Sequence, residues 1–304
     1  MNLFVVQLLN GVQFGVLLFL LAAGLTLVFG IMSFVNLAHG SLYMLGAYAG
    51  AVAYGLTGSF LASVLLAMAA TFMFGLLLEL LVIGRLYGRD HLDHVLATFG
   101  MILFFNELVR VVWGPQPYFV SLPDALSGFL DILGFSYPTY RFLIIAVGLA
   151  VAIGSYWLIH KTRLGMLIRA GSVNPALVGA LGVNIGMLNA VLFALGAMLA
   201  GLAGAMAGPV LSVQSGMGEP VLISALVVIV MGGIGSVGGA FYAALIIGIV
   251  DTLGRSYLPS LLRQVVERPT ADAAGPALAS MLIYLLMAAV LAWRPLGLFP
   301  AMRG

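Results

Sequence analysis

Few side chains in this sequence are equipped for chemistry, and most of them lie where water is scarce. Three carboxylates, Glu79, Glu107 and Asp251, fall within or at the edge of apolar runs, and an ionisable group in such surroundings is by default a functional hypothesis. Each has an arginine within reach: Arg85 little over a helical turn beyond Glu79, Arg110 at i+3 from Glu107, and Arg255 at i+4 from Asp251. Pairs at such spacings are ordinary on helices, so ion pairing accounts for all three and none is required as a proton carrier. His39 stands two residues before Ser41, but nothing nearby orients them as a nucleophile and base. In His91-Leu92-Asp93-His94 the imidazoles are spaced i,i+3 around one acid, too common a pattern on a polar turn to specify zinc. The sole lysine, Lys161, is followed by Thr162 but preceded by His160, so no G-x-x-x-x-G-K-[ST] phosphate loop exists. No enzyme activity and no metal are expected of this chain. With no cysteine, disulfides and thiolate chemistry are excluded.

The elements that must position these groups follow from composition. Hydrophobic residues make up 63% of the chain and charged residues 7%, against about 25% charged in a soluble domain. No Asp, Glu, Lys or Arg precedes Glu79. As one helix that stretch would run roughly 117 Å, against a hydrocarbon core of about 30 Å, so it must fold back and cross repeatedly. The fold class is all-α, a polytopic transmembrane helical bundle in a single domain over 1–304. A β-barrel is excluded because its strands alternate polar and apolar residues. The N-terminus lacks the basic region of a cleaved signal peptide. A net charge of +2 is too small to suggest nucleic acid; the basic residues report topology.

Along the chain, apolar spans are expected over 8–29, 42–56, 60–83, 95–113, 141–159, 187–207, 221–251 and 276–293. Residues 114–140, 209–220 and 254–275 read as connectors. The first span is followed by a break at 30–41, and the last-but-one is interrupted by MGGIGSVGGA at 231–240. Depending on whether each break makes a hairpin, eight to ten crossings result. The basic segments 84–94 and 160–186 are separated by two crossings, so they share a side, which the positive-inside rule makes cytoplasmic together with the C-terminal tail. Residues 254–275 fall outside.

Two interrupted apolar segments, one in each half, are the best sequence pointer to a transport path. At the first break Asn36, His39, Gly40 and Ser41 offer hydrogen bonds to a passing polar solute. At the second, Gly232, Gly233, Gly235, Ser236, Gly238 and Gly239 supply free backbone groups or gate the path. The competing account is that the glycines only pack helices and His39 bonds a neighbouring carbonyl.

The segment 160–189, HKTRLGMLIRAGSVNPALVGALGVNIGMLN, is long for a helix connection. It opens with a basic patch, continues with a helical pattern at Ala176, Leu177, Ala180 and Leu181, and stops at Gly182. Either it docks a cytoplasmic partner or it is a solvated loop that fixes topology. Its Asn174-Pro175-Ala176 spells the water-channel triplet, which in that fold occurs twice at mid-membrane; here the copy is single and lies in the basic segment.

Five stretches in this order, GLTLVFGIMSFVNLAHGSLYMLGAY, TRLGMLIRAGSVNPALVGALGVN, LGAMLAGLAGAMAGP, VMGGIGSVGGA and RPLGLF, resemble the LivH-type permeases of high-affinity branched-chain amino acid ABC transporters. The likeness runs from about residue 24 to 299. It implies an ABC importer permease in the bacterial inner membrane, moving branched-chain or related small amino acids inward. It implies as partners a LivM-like second permease, two cytoplasmic ATPases that bind ATP and Mg, a periplasmic solute-binding protein and membrane lipid. Residues 160–186 would be the coupling helix, with Gly165, Asn174 and Gly182 shaping it. Ala176 stands where the importer pattern often has Glu, which leaves Arg163 and Arg169 as the expected polar contacts. Urea or short amides, carried by near relatives, are the alternative cargo. A self-sufficient secondary transporter or channel is the alternative class, disfavoured because each intramembrane acid has an arginine beside it.

Overall fold

The apolar runs become helices because, away from water, every backbone N–H and C=O must be satisfied within its own segment. The computed structural model describes residues 2–32, 34, 36–132 and 135–299; Ser33, Val35 and Arg303, within the first break and the tail read above, lie outside them. The helices are α1 (Asn2–Met32), α2 (His39–Thr57), α3 (Phe60–Leu81), α4 (His91–Trp113), α5 (Thr139–Lys161), α6 (Arg163–Val173), α7 (Pro175–Ala180), α8 (Ile185–Ala207), α9 (Gly218–Gly232), α10 (Val237–Leu262) and α11 (Arg268–Trp293). The connector before α5 carries an antiparallel hairpin, β1 (Phe129–Ile132) and β2 (Phe135–Pro138). Among the described residues, seven helices (α1, α3, α4, α5, α8, α10 and α11) are long and apolar enough to cross a membrane. The less apolar α2 and the 15-residue α9 are the shorter pieces. Several starts are fixed by side-chain caps: Ser59, Thr162, Asn174, Asn184 and Ser236 each accept a hydrogen bond from the backbone N–H three residues on, a device worth about 1 kcal/mol.

A helix apolar on all sides belongs in the interior. In α1 and α8 83% of the most apolar stretch is buried, whereas in α4, α5 and α11 the share is 22%. The outer helices turn Leu65, Met73, Phe99, Leu103 and Leu285 outward, the side chains a lipid-facing surface requires. At the centre, packing without a hydrophobic driving force depends on close backbone approach through small residues. The α8 run LGAMLAGLAGAMA supplies it: Gly196 lies on Gly24 of α1, Gly201 on Gly46 of α2 and Thr71 of α3, and Gly204 on Tyr43 and Ala47 of α2.

The contacts reveal an inverted arrangement of two halves. α10 lies along α1 as α3 lies along α8, and α9 lies on α1 as α2 lies on α8. The crossing points pair like with like, Gly24 with Gly196 and Gly40 with Gly218. Gly46 and Gly50 of α2 meet Gly201 and Ala205 of α8 in the same order, so α2 runs parallel to α8, towards the end opposite α6. α9 runs the other way. Its Gly232 packs on Gly239, and Gly30, near the end of α1, lies on Gly235; Met32 at that end packs against the cluster of Ile168, Leu188 and Leu192. The turn Gly58-Ser59 before α3 recurs as Gly235-Ser236 before α10, each a left-handed glycine followed by a capping serine.

Two connectors read differently in the structure. Residues 254–275 are not a loop: α10 continues to Leu262 with Pro259 inside it, and α11 begins at Arg268 with Pro276 inside it. A proline removes one helical hydrogen bond, which neighbouring helices in a bundle can tolerate; here Pro259 packs against Gly275, where a Cβ would come 2.8 Å from the proline nitrogen. Residues 209–217 are not a simple exit from α8, because they lead to Gly218 against Gly40, at the meeting point of the halves.

Candidate functional site

The first break lies deep in the bundle. Gly24 is eight residues from the end of α1, about 12 Å of helix, and a Cβ there would come 3.0 Å from His39 Nε2. Asn36 and His39 are fully buried and Ser41 nearly so. The backbone of Leu21 faces the imidazole, yet no side-chain nitrogen or oxygen of His39 or Asn36 reaches hydrogen-bond geometry with another group among the described residues. Gly40 packs on the Gly218 carbonyl, 2.6 Å from where its Cβ would be. Here α2 and α9 begin, so two helix N-termini meet within the interior; of their first N–H groups, those of His39 and Ser41 go to the Asn36 and Ala38 carbonyls and that of Glu219 to the Gly216 carbonyl.

The second break sits elsewhere, at the end of the bundle that carries α6. Residues 233–236 turn α9 into α10, with Gly233 at φ +105° and Gly235 at φ +81°. Gly232 and Gly239 bring the two helices into backbone contact, Gly233 lies under Gly297, and Gly238 is open to its surroundings. Ser236 Oγ accepts from Gly239 N at 3.0 Å. The closing residues dock on the same turn through Leu298 N to Met231 O at 2.8 Å and Phe299 N to Gly232 O at 3.0 Å. The first break is thus buried deep in the bundle, and the second lies at its end. In the second half the corresponding deep point is the start of α9, signalled in sequence by the small polar run Gln214, Ser215, Gly216 and Gly218.

The three acids differ in kind. Glu107 pairs with Arg110 at 2.9 Å on an exposed surface. Asp251 pairs with Arg255 at 2.8 Å, and that guanidinium also donates to Ser280 Oγ at 2.8 Å. Glu79 does not pair with Arg85. It is 2% exposed, and its Oε1 accepts a 2.5 Å hydrogen bond from Tyr87. The reason is the single 3-10 turn Ile83–Arg85, after which the chain comes back with Tyr87 over the end of α3 while Arg85 faces out. Burial, then the hydrogen bond and charge of Glu79, push the Tyr87 hydroxyl well above the usual phenol range. Beside them His94 is buried, bonding the Leu86 carbonyl at 2.7 Å and packing on the Phe34 ring, while His91 is exposed. Among the described residues no three His, Asp or Glu side chains converge.

Three further polar residues, Asn106, Ser215 and Glu219, were not singled out as functional by sequence reading. Asn106 donates to Glu219 at 2.5 Å and accepts from Ser215 at 3.0 Å through its carbonyl, tying α4 to the re-entrant approach to α9.

The basic segment folds as two short helices at one end of the bundle. Thr162 Oγ1 accepts from Gly165 N at 3.0 Å and donates to the Leu158 carbonyl at 2.5 Å, and Gly165 fits against the last carbonyls of α5 where a Cβ would clash. Arg169 donates to the Ile159 carbonyl, so it caps α5 rather than standing free; Arg163 is exposed. Asn174 caps α7 by accepting from Leu177 N at 2.9 Å, with Pro175 at the first helical position. Gly182, at φ +90°, ends it as a left-handed terminator does. Ala176 is exposed, and Leu177 and Leu181 are 57% and 77% exposed, an apolar pair presented outward on a rigid turn.

Comparison with known proteins agrees with this architecture. Residues 7–291 match the family model of branched-chain amino acid transport system permease components. The chain is similar to the high-affinity branched-chain amino acid transport system permease protein BraD of Pseudomonas aeruginosa, 30% identical over 275 residues, covering 86% of this chain and 89% of the relative. It is also similar to LivH of Escherichia coli, 28% identical over 289 residues with 87% and 90% covered. A more distant kind of relative is the ribose import permease RbsC of E. coli, 28% identical over 264 residues with 81% and 78% covered.

Proposed function

The chain belongs to the branched-chain amino acid transport permease family, and from that premise we propose that it is one of two permeases in an ATP-driven importer of branched-chain or related small amino acids. The second permease, two ATPases that bind ATP and Mg, and a solute-binding protein complete the assembly in the inner membrane of a bacterium.

The observation that carries this reading is α7. A capped helix of six residues with Leu177 and Leu181 turned outward has no use as a connector, and suits a groove on a partner at the basic, cytoplasmic end. Arg163 adds an exposed cation beside it. Closure of the ATPase pair would push on α7, and through α6 on the ends of α1, α5 and α8 against which α6 packs. Rigid-body rocking of that kind is how alternating access is achieved around a mid-membrane site. The first break, with Asn36, His39 and Ser41 around the meeting of α2 and α9, is the natural pivot. The glycine turn 232–239, clamped by the closing residues, moves with α9 and α10.

The likeness to a ribose permease favours a second cargo class, sugars, and urea or short amides remain a third. Uptake by vesicles containing the full set of subunits decides among them: accumulation of leucine that requires both ATP and the binding protein is expected. Accumulation of ribose or urea instead would replace the cargo, and uphill uptake by the chain alone would replace the class.

A further inference from the structure

We propose that a cavity in the side of the bundle, walled by α1, α9, α10 and α11, is a subsite for the ammonium and carboxylate groups of a small α-amino acid in transit. The cavity measures about 350 Å³, at the small end of the range of roughly 300–1,000 Å³ for ligand sites. Phe14, Ile223 and Ile247 give it an apolar wall, and Glu219, Ser224, Asp251, Arg255 and Ser280 a polar one.

Its polar wall is incompletely satisfied in a way that points to a zwitterion. Asp251 is 6% exposed and accepts from Arg255 Nε through Oδ2, while its Oδ1 has no hydrogen-bond partner among the described residues. Arg255 uses Nε on Asp251 and Nη2 on Ser280, leaving Nη1 without a partner among the described residues. Glu219 is held from one side by Asn106. The wall therefore offers an unpartnered carboxylate oxygen to an ammonium and, on the next turn of α10, a guanidinium nitrogen used by neither Asp251 nor Ser280 to a carboxylate, two opposite partners that a zwitterion meets at once without changing the net charge. A buried unpartnered carboxylate oxygen is costly until such a donor arrives. Glu219 also follows Gly218, which touches Gly40, so the cavity abuts the meeting point of the half-helices. The proposal rests on the amino acid reading above.

Because the chain has no cysteine, Ser224→Cys places a single thiol in the wall. The complete transporter in vesicles is treated with a small cationic methanethiosulfonate reagent, and modification of this chain is read by mass. At about ten times its half-protecting concentration, leucine should slow modification about tenfold by mass action. Isopentylamine and 4-methylpentanoate, each carrying one of the two charged groups, should protect at least about tenfold more weakly in concentration. Arg255→Gln should reduce leucine to the level of the amine. No protection by leucine, or equal protection by either analogue, overturns the subsite. Ile223→Cys, on the same cavity, gives the same reading if Ser224→Cys does not assemble. ATP-driven leucine accumulation is measured on the unmodified transporter in parallel. Protection without accumulation defeats the transport reading alone, and accumulation without protection defeats the subsite alone.

Discussion

Gly24 of α1 and Gly196 of α8 touch backbone to backbone: a Cβ on Gly24 would come 2.5 Å from the Gly196 carbonyl oxygen, and one on Gly196 would come 2.9 Å from that of Gly24. Neither backbone can swing aside, because α1 and α8 are enclosed by the rest of the bundle. Gly24→Ala or Gly196→Val should therefore destabilise the fold by about 2–3 kcal/mol. Gly55→Ala, whose added carbon meets nothing, should stay within about 0.5 kcal/mol of the parent. Thermal midpoints of the detergent-purified protein make the comparison.

At α7 the expected split is between coupling and stability. Leu177→Glu with Leu181→Glu alters two exposed side chains, so the melting temperature should hold while ATP-dependent uptake and co-purification of the ATPases fall at least about tenfold, through loss of an apolar contact. Arg169→Glu should do the reverse of a clean separation. It removes the donor on the Ile159 carbonyl and should lower stability by about 1 kcal/mol as well as uptake.

The glycine turn allows folding and passage to be read apart. Gly239 packs on Gly232, so Gly239→Leu should prevent assembly by overpacking, whereas Gly238 has open space around it and Gly238→Leu should fold. Uptake by the folded Gly238→Leu protein is the measurement: a loss supports a path beside this turn, and parental uptake assigns these glycines to packing.

Removing the Tyr87 hydroxyl leaves both oxygens of a buried carboxyl without a partner among the described residues, since Glu79 Oε2 already has none there. Tyr87→Phe should cost about 1–3 kcal/mol, and Glu79→Gln, which keeps an acceptor for the hydroxyl, less. The pH dependence has a definite sign. Because burial, followed by Glu79, raises the Tyr87 pKa in the fold, the stability that the neutral phenol confers is complete below the ordinary value of about 10. It is lost as pH rises through the folded value. Thermal midpoints should fall more steeply above about pH 10 in the parent than in Tyr87→Phe.

Much of the bundle was legible in the residues themselves. Helix starts show in Ser59, Asn174 and Asn184, each placed where a side-chain cap belongs, and the close-packed centre shows in the small residues of α8. The Asp251–Arg255 and Glu107–Arg110 pairs were readable because they lie within one helix, where spacing fixes geometry. Glu79 was not, since its partner depends on a 3-10 turn that reverses the chain between Ile83 and Tyr87. Pro259 and Pro269 suggested a loop over 254–275 because a proline's local preference is visible in sequence, while the glycine that accommodates Pro259, Gly275, comes from another helix. The pairing of halves was hidden for a similar reason. Apart from the Gly-Ser turns before α3 and α10, α2 and α9 share shape rather than residues, and shape emerges only from contacts such as Gly40 with Gly218.

Halves that mirror one another top to bottom make a scaffold whose packing has no preferred way up. What distinguishes its two ends is a handful of cations: Arg85, Arg89, Lys161, Arg163, Arg169 and Arg294 at one, and Arg110, Arg141, Arg255, Arg263 and Arg268 at the other. With sides so evenly matched, insertion is decided by the clustering of the first group in short segments close to the spans.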